Sequence, residues 1–179
     1  MKNTILLTTA ALALLAGPAL AGDIGAYGSY WATEDADEAL GAGAKVRFGV
    51  FELRGTYFSD VTADTEPESR DFEVSAIPVE AGVAFKFAEG TRFSPYIGGG
   101  AGYYLLDTTE GDIDDEVGYY AVLGTDIGSP GGLSFMVEGI YRSMEATVRG
   151  NFGDDPSVDE DVDIQLGGLG LNAGIVWRF

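Results

Sequence analysis

The chain has 179 residues, of which 29 are acidic and 10 basic, so its formal net charge is −19. That length suits one domain, the 46% of hydrophobic residues is too high for a disordered chain, and such an acidic surface argues against a nucleic-acid partner. The chain contains no His and no Cys, which removes the commonest general base, thiolate nucleophiles and the usual zinc ligands, so we do not expect an enzyme.

The first 21 residues have the three parts of a secretory signal peptide. Residues 1–3 include one positive charge, residues 5–17 form an uncharged apolar run, and residues 19–21 are a small-x-small cleavage motif. The apolar run is shorter than the ~20 residues that a membrane-spanning helix needs. We therefore predict cleavage of residues 1–21 and a mature domain over residues 22–179 that is exported through the periplasm.

The mature sequence alternates apolar residues with small or polar ones at a period of two, which is typical of β-strands. Eight strands are predicted, over residues 23–32, 40–48, 51–60, 74–87, 93–106, 117–127, 133–147 and 163–179. The connections between them alternate between long loops, which contain most of the acidic residues, and short turns. In an up-and-down arrangement all the long loops lie at one end, so that end should be strongly negative.

The shortest connection predicts both a turn type and a register. Gly49 can supply the positive φ that the first central residue of a type II′ turn needs. A two-residue turn at this position would place Phe48 opposite Phe51 and Arg47 opposite Glu52.

Each predicted strand has one apolar face and one face on which glycine and charged residues are mixed. A soluble lipocalin-like barrel would bury the apolar face, whereas an outer-membrane barrel turns it toward lipid and keeps the charges in its lumen. Glycine gains nothing on an aqueous face, but the lumen of an eight-stranded barrel is only just wide enough for side chains. Outward aromatic residues near both strand ends match the two membrane interfaces. We therefore predict an all-β fold, an eight-stranded antiparallel up-and-down transmembrane β-barrel.

A set of ten charged residues falls on the inward, glycine-bearing face. These residues are Lys45, Arg47, Glu52, Arg54, Glu80, Lys86, Asp126, Glu138, Arg142 and Arg178. Charges that are held away from water need partners. They predict either a pairing network that plugs the barrel or the lining of a narrow path for small ions.

The chain resembles the small outer-membrane barrels of Gram-negative bacteria, the OmpA/OmpX-like group. The resemblance covers the whole mature chain and includes the terminal segment in which Ile175, Trp177 and Phe179 occupy alternate positions. It implies a porin-like protein of the cell outer membrane, in contact with lipid and lipopolysaccharide, whose terminal residues are an assembly signal for the barrel-insertion machinery. The group includes anchors, adhesins, narrow pores and a few enzymes, so the resemblance leaves the role open.

Acidic runs in the long loops are weak candidates for metal binding. The residues concerned are Asp112, Asp114, Asp159, Asp161 and Asp163. The run that begins at residue 159 has the alternating acids of a calcium loop but lacks the Gly and the Glu that such a loop needs. We expect no cofactor and no firm metal site, only weak shared binding of Ca²⁺ or Mg²⁺. The expected function is that of a monomeric, non-catalytic barrel with acidic extracellular loops and a structural or surface-interaction role; the alternative is a narrow channel for ions or small solutes.

Overall fold

A computed structural model describes residues 22–33, 38–63, 72–88, 91–108, 112–113, 116–129, 131–150, 160–165 and 167–179. The predicted signal peptide, residues 1–21, lies outside the described residues, and its cleavage stays a prediction. Within the described ranges no helix is long and apolar enough to cross a membrane, a criterion that does not concern strands.

The described residues form eleven strands in two sheets. The strands are β1 (Gly22–Thr33), β2 (Ala39–Phe48), β3 (Phe51–Ala63), β4 (Phe72–Lys86), β5 (Phe93–Thr108), β6 (Asp112–Ile113), β7 (Glu116–Gly128), β8 (Leu133–Ser143), β9 (Glu145–Gly150), β10 (Glu160–Gln165) and β11 (Gly168–Arg178). Eight of them close into a barrel in the order β1-β11-β8-β7-β5-β4-β3-β2, and the other three form a small sheet in the order β10-β9-β6.

All strand pairs in the barrel are antiparallel, and barrel strands that are consecutive in the chain lie side by side. The barrel closes at β1, where Ile24 pairs with Val46 of β2 on one side and with Trp177 of β11 on the other. Closure gives every barrel strand two partners, which removes the open edges that a bilayer does not tolerate. The predicted eight-stranded antiparallel up-and-down barrel is confirmed.

The shortest turn has the predicted geometry. Gly49 has a φ of 59°, whereas Val50 is not among the residues with positive φ, as a type II′ turn requires. Phe48 pairs with Phe51, and Arg47 pairs with Glu52. The predicted register of the β2-β3 hairpin is therefore confirmed.

The prediction of the last two strands as continuous was wrong. Residues 133–147 divide into β8 and β9, and residues 163–179 divide into β10 and β11. The register does not change across the break, since Arg142 pairs with Gly168 and Glu145 pairs with Gln165. The break falls at Met144, whose side chain is buried with Trp31 and Phe58. The antiparallel pair of β9 and β10 thus keeps the register of β8 and β11 beyond Met144.

The apolar strand faces point outward. Phe51, Leu123 and Phe135 are 69%, 66% and 68% exposed, and the outward aromatic residues near the long loops include Tyr57 and Tyr119. Apolar residues surround the barrel. Their combined exposed surface is far larger than the apolar patches that soluble monomers expose to water. The lipocalin-like alternative is therefore wrong, because it places the apolar face inside.

Candidate functional site

The barrel lumen is the candidate functional site, because the structure places all ten of the predicted inward charged residues there. Alternation along the strands directs each of these side chains inward, and each is buried or half-buried. Asp23 of β1 joins them, and the sequence analysis missed it. The signal was present, since Asp23 shares the inward face of β1 with Gly25 and Tyr27.

The first group of lumen charges, the mouth cluster, lies at the short-turn end and consists of Asp23, Lys86, Asp126 and Arg178. Asp126 Oδ2 accepts a hydrogen bond from Arg178 Nη2 at 2.8 Å and lies 3.0 Å from Lys86 Nζ. Asp23 accepts a hydrogen bond from Lys86 and another, at 3.2 Å, from Arg47 deeper in the lumen. The side chains of Asp23 and Arg178 are 10% and 13% exposed. Solvent thus reaches the lumen charges at this end.

The second group, the central cluster, consists of Lys45, Arg47, Glu52, Arg54 and Glu138. Glu52 Oε2 accepts from Arg47 Nη2 at 2.5 Å, and its other oxygen accepts from Arg54. Glu138 accepts from Lys45 at 2.5 Å and from Arg54 at 3.2 Å. Each carboxylate is thus held by two cations, and Arg54 joins the two carboxylates.

Neutral side chains also donate hydrogen bonds to Glu138. Tyr96 Oη donates to Glu138 Oε1 at 2.6 Å, and Asn172 Nδ2 donates to Glu138 Oε2 at 3.0 Å. Ser29 Oγ donates in turn to the Asn172 side-chain oxygen at 2.6 Å. Glu138 is fully buried, and donors from several different strands satisfy both of its oxygens. The hydrogen-bond network therefore holds the Glu138 side chain in one position in the lumen.

One ion pair, the upper pair, lies nearer the long loops. Arg142 donates from Nε to Glu80 Oε1 at 2.9 Å and from Nη2 to Glu80 Oε2 at 3.2 Å, which is a bidentate arrangement. The guanidinium carbon of Arg142 is 5.5 Å from the ring centroid of Trp31 and 5.6 Å from that of Phe58. Arg142 Nη1 and Trp31 Nε1 are buried without a hydrogen-bond partner among the described residues. The upper pair is therefore less completely satisfied than the central cluster.

An apolar layer closes the lumen at the long-loop end. Its members are Trp31, Ala39, Phe58, Ala76, Tyr104, Leu106 and Met144. The rings of Trp31 and Phe58 are 5.1 Å apart, and the layer covers the upper pair. The lumen thus changes from charged at the short-turn end to apolar at the long-loop end.

Inward aromatic residues are the second feature that the sequence analysis missed, because it assigned aromatic residues only to the outer surface. A Cβ on Gly43 would lie 2.5 Å from the Tyr27 ring, and one on Gly124 would lie 2.6 Å from the Tyr96 ring. The inward glycines therefore leave room for rings that face them. Aromatic residues on the same strand face as the glycines were the sequence signal that could have revealed this packing.

Two residues of the predicted assembly signal, Ile175 and Trp177, lie on the outward face of β11, and the third, Phe179, directly follows that strand. Ile175, Trp177 and Phe179 are all exposed, so they are accessible on the lipid-facing surface next to the β1-β11 seam. Their role in assembly stays a prediction.

The candidate metal ligands are divided between two short strands and residues outside the described ranges. Asp114 and Asp159 lie outside the described residues, while Asp112 belongs to β6 and Asp161 and Asp163 belong to β10. Asp112 and Asp161 both pair with Arg149 of the intervening strand β9, which separates their backbones by two strand spacings, about 10 Å. The part of the chain that the structure describes contains no group of three residues that could hold a metal ion. Weak cation binding stays a prediction.

Among known proteins, only solved structures, and no sequence family, show similarity to this chain. No protein-family model matches the chain, and no curated protein matches it significantly. The chain is similar to the outer membrane protein OprG from Pseudomonas aeruginosa, with a TM-score of 0.73, 14% identity and coverage of 90% of this chain and 96% of that one. For the outer membrane protein AlkL the TM-score is 0.58, with 16% identity and coverage of 89% and 90%. For Neisserial surface protein A it is 0.52, with 15% identity and coverage of 89% and 97%.

These similarities, at low identity, concern the fold. They agree with the outward apolar belt and with a location in the outer membrane. The chain has the fold of the small eight-stranded outer-membrane β-barrels.

Proposed function

We propose that the protein is a non-catalytic outer-membrane protein whose sealed barrel holds four acidic loops at the outer surface of the cell, in a structural or surface-interaction role. The observation that carries the proposal is the filled lumen. The mouth cluster, the central cluster, the upper pair and the apolar layer follow one another along the barrel, and the deepest charges are fully buried.

The energetics of the central cluster favour a permanent plug. Breaking a buried ion pair by removing one partner costs ~3–5 kcal/mol, because it leaves an uncompensated charge. Opening a path past Glu138 would separate it from Lys45, Arg54, Tyr96 and Asn172. The central cluster therefore resists the rearrangement that conduction would need.

The same pairing argues against catalysis in the lumen. A general base must reach a substrate proton, but Glu52, Glu80 and Glu138 are buried and already accept hydrogen bonds from Arg or Lys side chains. The apolar layer separates these carboxylates from the long-loop end. Among the described residues, these buried and paired carboxylates therefore give no support to an enzymatic role.

A narrow channel for ions or small solutes is the second candidate, and one observation favours it. Charged side chains form a continuous chain from Arg178 at the partly exposed mouth, through Asp126, Lys86 and Asp23, to Arg47 in the central cluster. If the apolar layer moved aside, this chain would line a polar path. The proposal of a sealed barrel and this alternative therefore differ in one measurable property, which is conductance.

The test is to reconstitute the mature chain, residues 22–179, in a planar lipid bilayer and to record single-channel currents with and without Ca²⁺. We expect no steady conductance under either condition. A large, steady conductance of the unmodified protein would replace the sealed barrel with the channel. Protease treatment of intact cells tests the other half of the proposal, because loops at the cell surface should be cleaved while the periplasmic turns are protected.

The proposed partners follow from the same arrangement. The outward belt contacts outer-membrane lipid, and divalent cations could bridge the acidic loops to the phosphates of lipopolysaccharide. The insertion machinery would read Ile175, Trp177 and Phe179 during assembly. A closed barrel needs no second copy to complete its sheet, which supports a monomer.

A further inference from the structure

Two buried hydrogen-bond donors beside the upper pair have no partner among the described residues. They are Arg142 Nη1 and Trp31 Nε1. Both side chains are almost completely buried, since Arg142 is 0% and Trp31 is 1% exposed. Buried polar groups in folded proteins are nearly always hydrogen-bonded, so an unpartnered pair of donors calls for an acceptor.

The two donors belong to the same part of the lumen. The guanidinium carbon of Arg142 is 5.5 Å from the ring centroid of Trp31. Arg142 uses Nε and Nη2 to bind Glu80, so Nη1 is the guanidinium nitrogen that faces away from this carboxylate. A Cβ on Gly170 would lie 3.5 Å from Nη1, and Gly170 pairs with Trp31 across the β1-β11 seam. Nη1 therefore faces the part of the wall that carries Trp31, where Gly170 contributes no side chain.

The carboxylates of the lumen do not supply the acceptor. Glu80 is the carboxylate beside Arg142, and it already accepts hydrogen bonds from Arg142 and from the Tyr104 hydroxyl. Among the described residues, the single buried carboxylate oxygen without a hydrogen-bond partner is Asp126 Oδ1, which lies in the mouth cluster at the other end of the lumen. The acceptor for Arg142 Nη1 and Trp31 Nε1 must therefore come from outside the protein.

The charge balance of the lumen indicates that this acceptor is negative. The mouth cluster and the upper pair each contain equal numbers of cations and carboxylates. The central cluster contains three cations, Lys45, Arg47 and Arg54, and two carboxylates, Glu52 and Glu138. The described lumen charges thus have one positive charge in excess, and a buried charge without compensation is costly. A monovalent anion provides both an acceptor and the compensating charge, whereas a water molecule provides only an acceptor.

We propose that Arg142 Nη1 and Trp31 Nε1 bind a small monovalent anion of the chloride class in the lumen. Solvent is excluded from both donors, so the anion is enclosed as the barrel forms. A ligand that binds the folded chain and not the unfolded chain stabilises the folded state by mass action. The inference goes beyond the proposed function, because an anion site in the lumen does not depend on what the acidic loops contact.

The first test measures how the stability of the barrel depends on the anion. The mature chain, residues 22–179, is refolded into detergent and then unfolded with urea in sodium chloride, sodium bromide or sodium gluconate, each at about 150 mM. Gluconate matches the ionic strength but is too large for an enclosed site. We expect the folding equilibrium constant to be about tenfold larger in either halide than in gluconate, which corresponds to an anion concentration roughly ten times its Kd. Equal stability in the three salts would overturn the proposal.

The two tryptophans of the chain provide a matched pair of variants. Trp31→Phe removes the Nε1 donor and keeps a ring in the apolar layer, so the advantage of the halides should fall below threefold. Trp177→Phe makes the same substitution on the lipid-facing surface and should keep the tenfold advantage. Each variant is compared with itself in the three salts, so a general loss of stability does not affect the result. An equal advantage in both variants would show a general effect of the salt and contradict the site.

Crystallography of the unmodified protein tests the site even if Trp31→Phe does not fold. Protein that is refolded and crystallised in sodium bromide should give an anomalous bromide peak within hydrogen-bond distance of both Arg142 Nη1 and Trp31 Nε1. An ordered water molecule at that position without anomalous signal, or no peak there, would contradict the proposal.

Discussion

Arg54 and Glu138 are joined across the lumen, with Arg54 Nη1 3.2 Å from Glu138 Oε2, although they are 84 positions apart in the chain. Arg54 lies on β3 and Glu138 on β8, which are not neighbours in the barrel. The ion pair therefore forms only when the barrel has closed. It links opposite walls of the barrel as well as neutralising two buried charges.

Glu138 should be the most costly lumen carboxylate to neutralise. The variant Glu138→Gln keeps the volume of the side chain but leaves Lys45 and Arg54 without their shared anion, so we expect a loss of ~3–5 kcal/mol in the free energy of unfolding. The measurement is urea-induced unfolding in lipid vesicles. The control Glu38→Gln changes an exposed acid and should cost less than ~0.5 kcal/mol. Similar losses for both variants would contradict the special position of Glu138.

The upper pair should be the point at which the plug can be opened. Its two members, Arg142 and Glu80, form a buried bidentate ion pair directly below the apolar layer. Arg142→Ala removes the guanidinium beneath Trp31 and Phe58, and with it the cation that pairs with Glu80; the Tyr104 hydroxyl, 3.2 Å from Glu80 Oε1, is a neutral donor that cannot replace that charge. We expect current steps in planar bilayers that the unmodified protein does not show.

The double variant Glu80→Leu/Arg142→Leu is the matched control for this prediction. Replacement of a buried ion pair by apolar residues is often neutral or stabilising, so this variant should stay closed. Conductance in both variants would contradict the prediction, because it would show that an unpaired charge is not what opens the lumen. A silent Arg142→Ala variant would show that the apolar layer is sufficient for closure.

Backbone strain at Ala88 offers a stabilising substitution. Ala88, in the turn after β4, has a φ of 56° and is the single non-glycine residue with positive φ in the described part of the chain. A left-handed conformation costs a non-glycine residue ~1–2 kcal/mol, so Ala88→Gly should stabilise the barrel by about 1 kcal/mol after the entropy cost of glycine. Gly49→Ala is the opposite experiment, because Gly49 has a φ of 59° and open space where a Cβ would lie. It should destabilise the barrel; the same sign of effect for both variants in urea unfolding would refute the explanation.

Phe179 is expected to be required for efficient assembly. Its exposed ring lies at the lipid-facing end of the β11 segment, where the insertion machinery could read it. Deletion of Phe179 should reduce heat-modifiable protein in outer-membrane extracts several-fold. Phe135→Ala removes an equally outward aromatic residue from β8 and should have a smaller effect. Full assembly without Phe179 would remove the sorting-signal interpretation.

The acidic loops should bind divalent cations weakly and collectively. Ca²⁺ would reduce repulsion among the carboxylates wherever two or three of them converge. Monovalent salt screens the same field over ~8 Å at physiological ionic strength, so calorimetric titration should give a heat signal at low NaCl that fades at high NaCl. A signal that persists in high salt would indicate a defined site. No signal at low salt would mean that the loops are a solvated negative surface without cation bridging.

The local sequence was sufficient to predict the wall of the barrel. Alternation with a period of two assigns each residue to one face, and the glycines on the charged face indicate that it lies in a narrow lumen. Gly49 specifies a two-residue turn, and the turn alone sets Arg47 opposite Glu52. These properties depend on residues close together in the chain, so they can be read without knowledge of the rest of the fold.

Tertiary structure alone decided which side chains meet in the lumen. Which carboxylate Arg142 meets depends on the stagger of non-neighbouring strands around the closed barrel, and no local sequence pattern contains that stagger. The inward rings of Trp31 and Phe58 and the break at Met144 depend on the same stagger, since it determines which side chains share a level of the lumen. The alternation along a strand determines whether a side chain points inward or outward, but only closure of the barrel determines which other side chains it contacts.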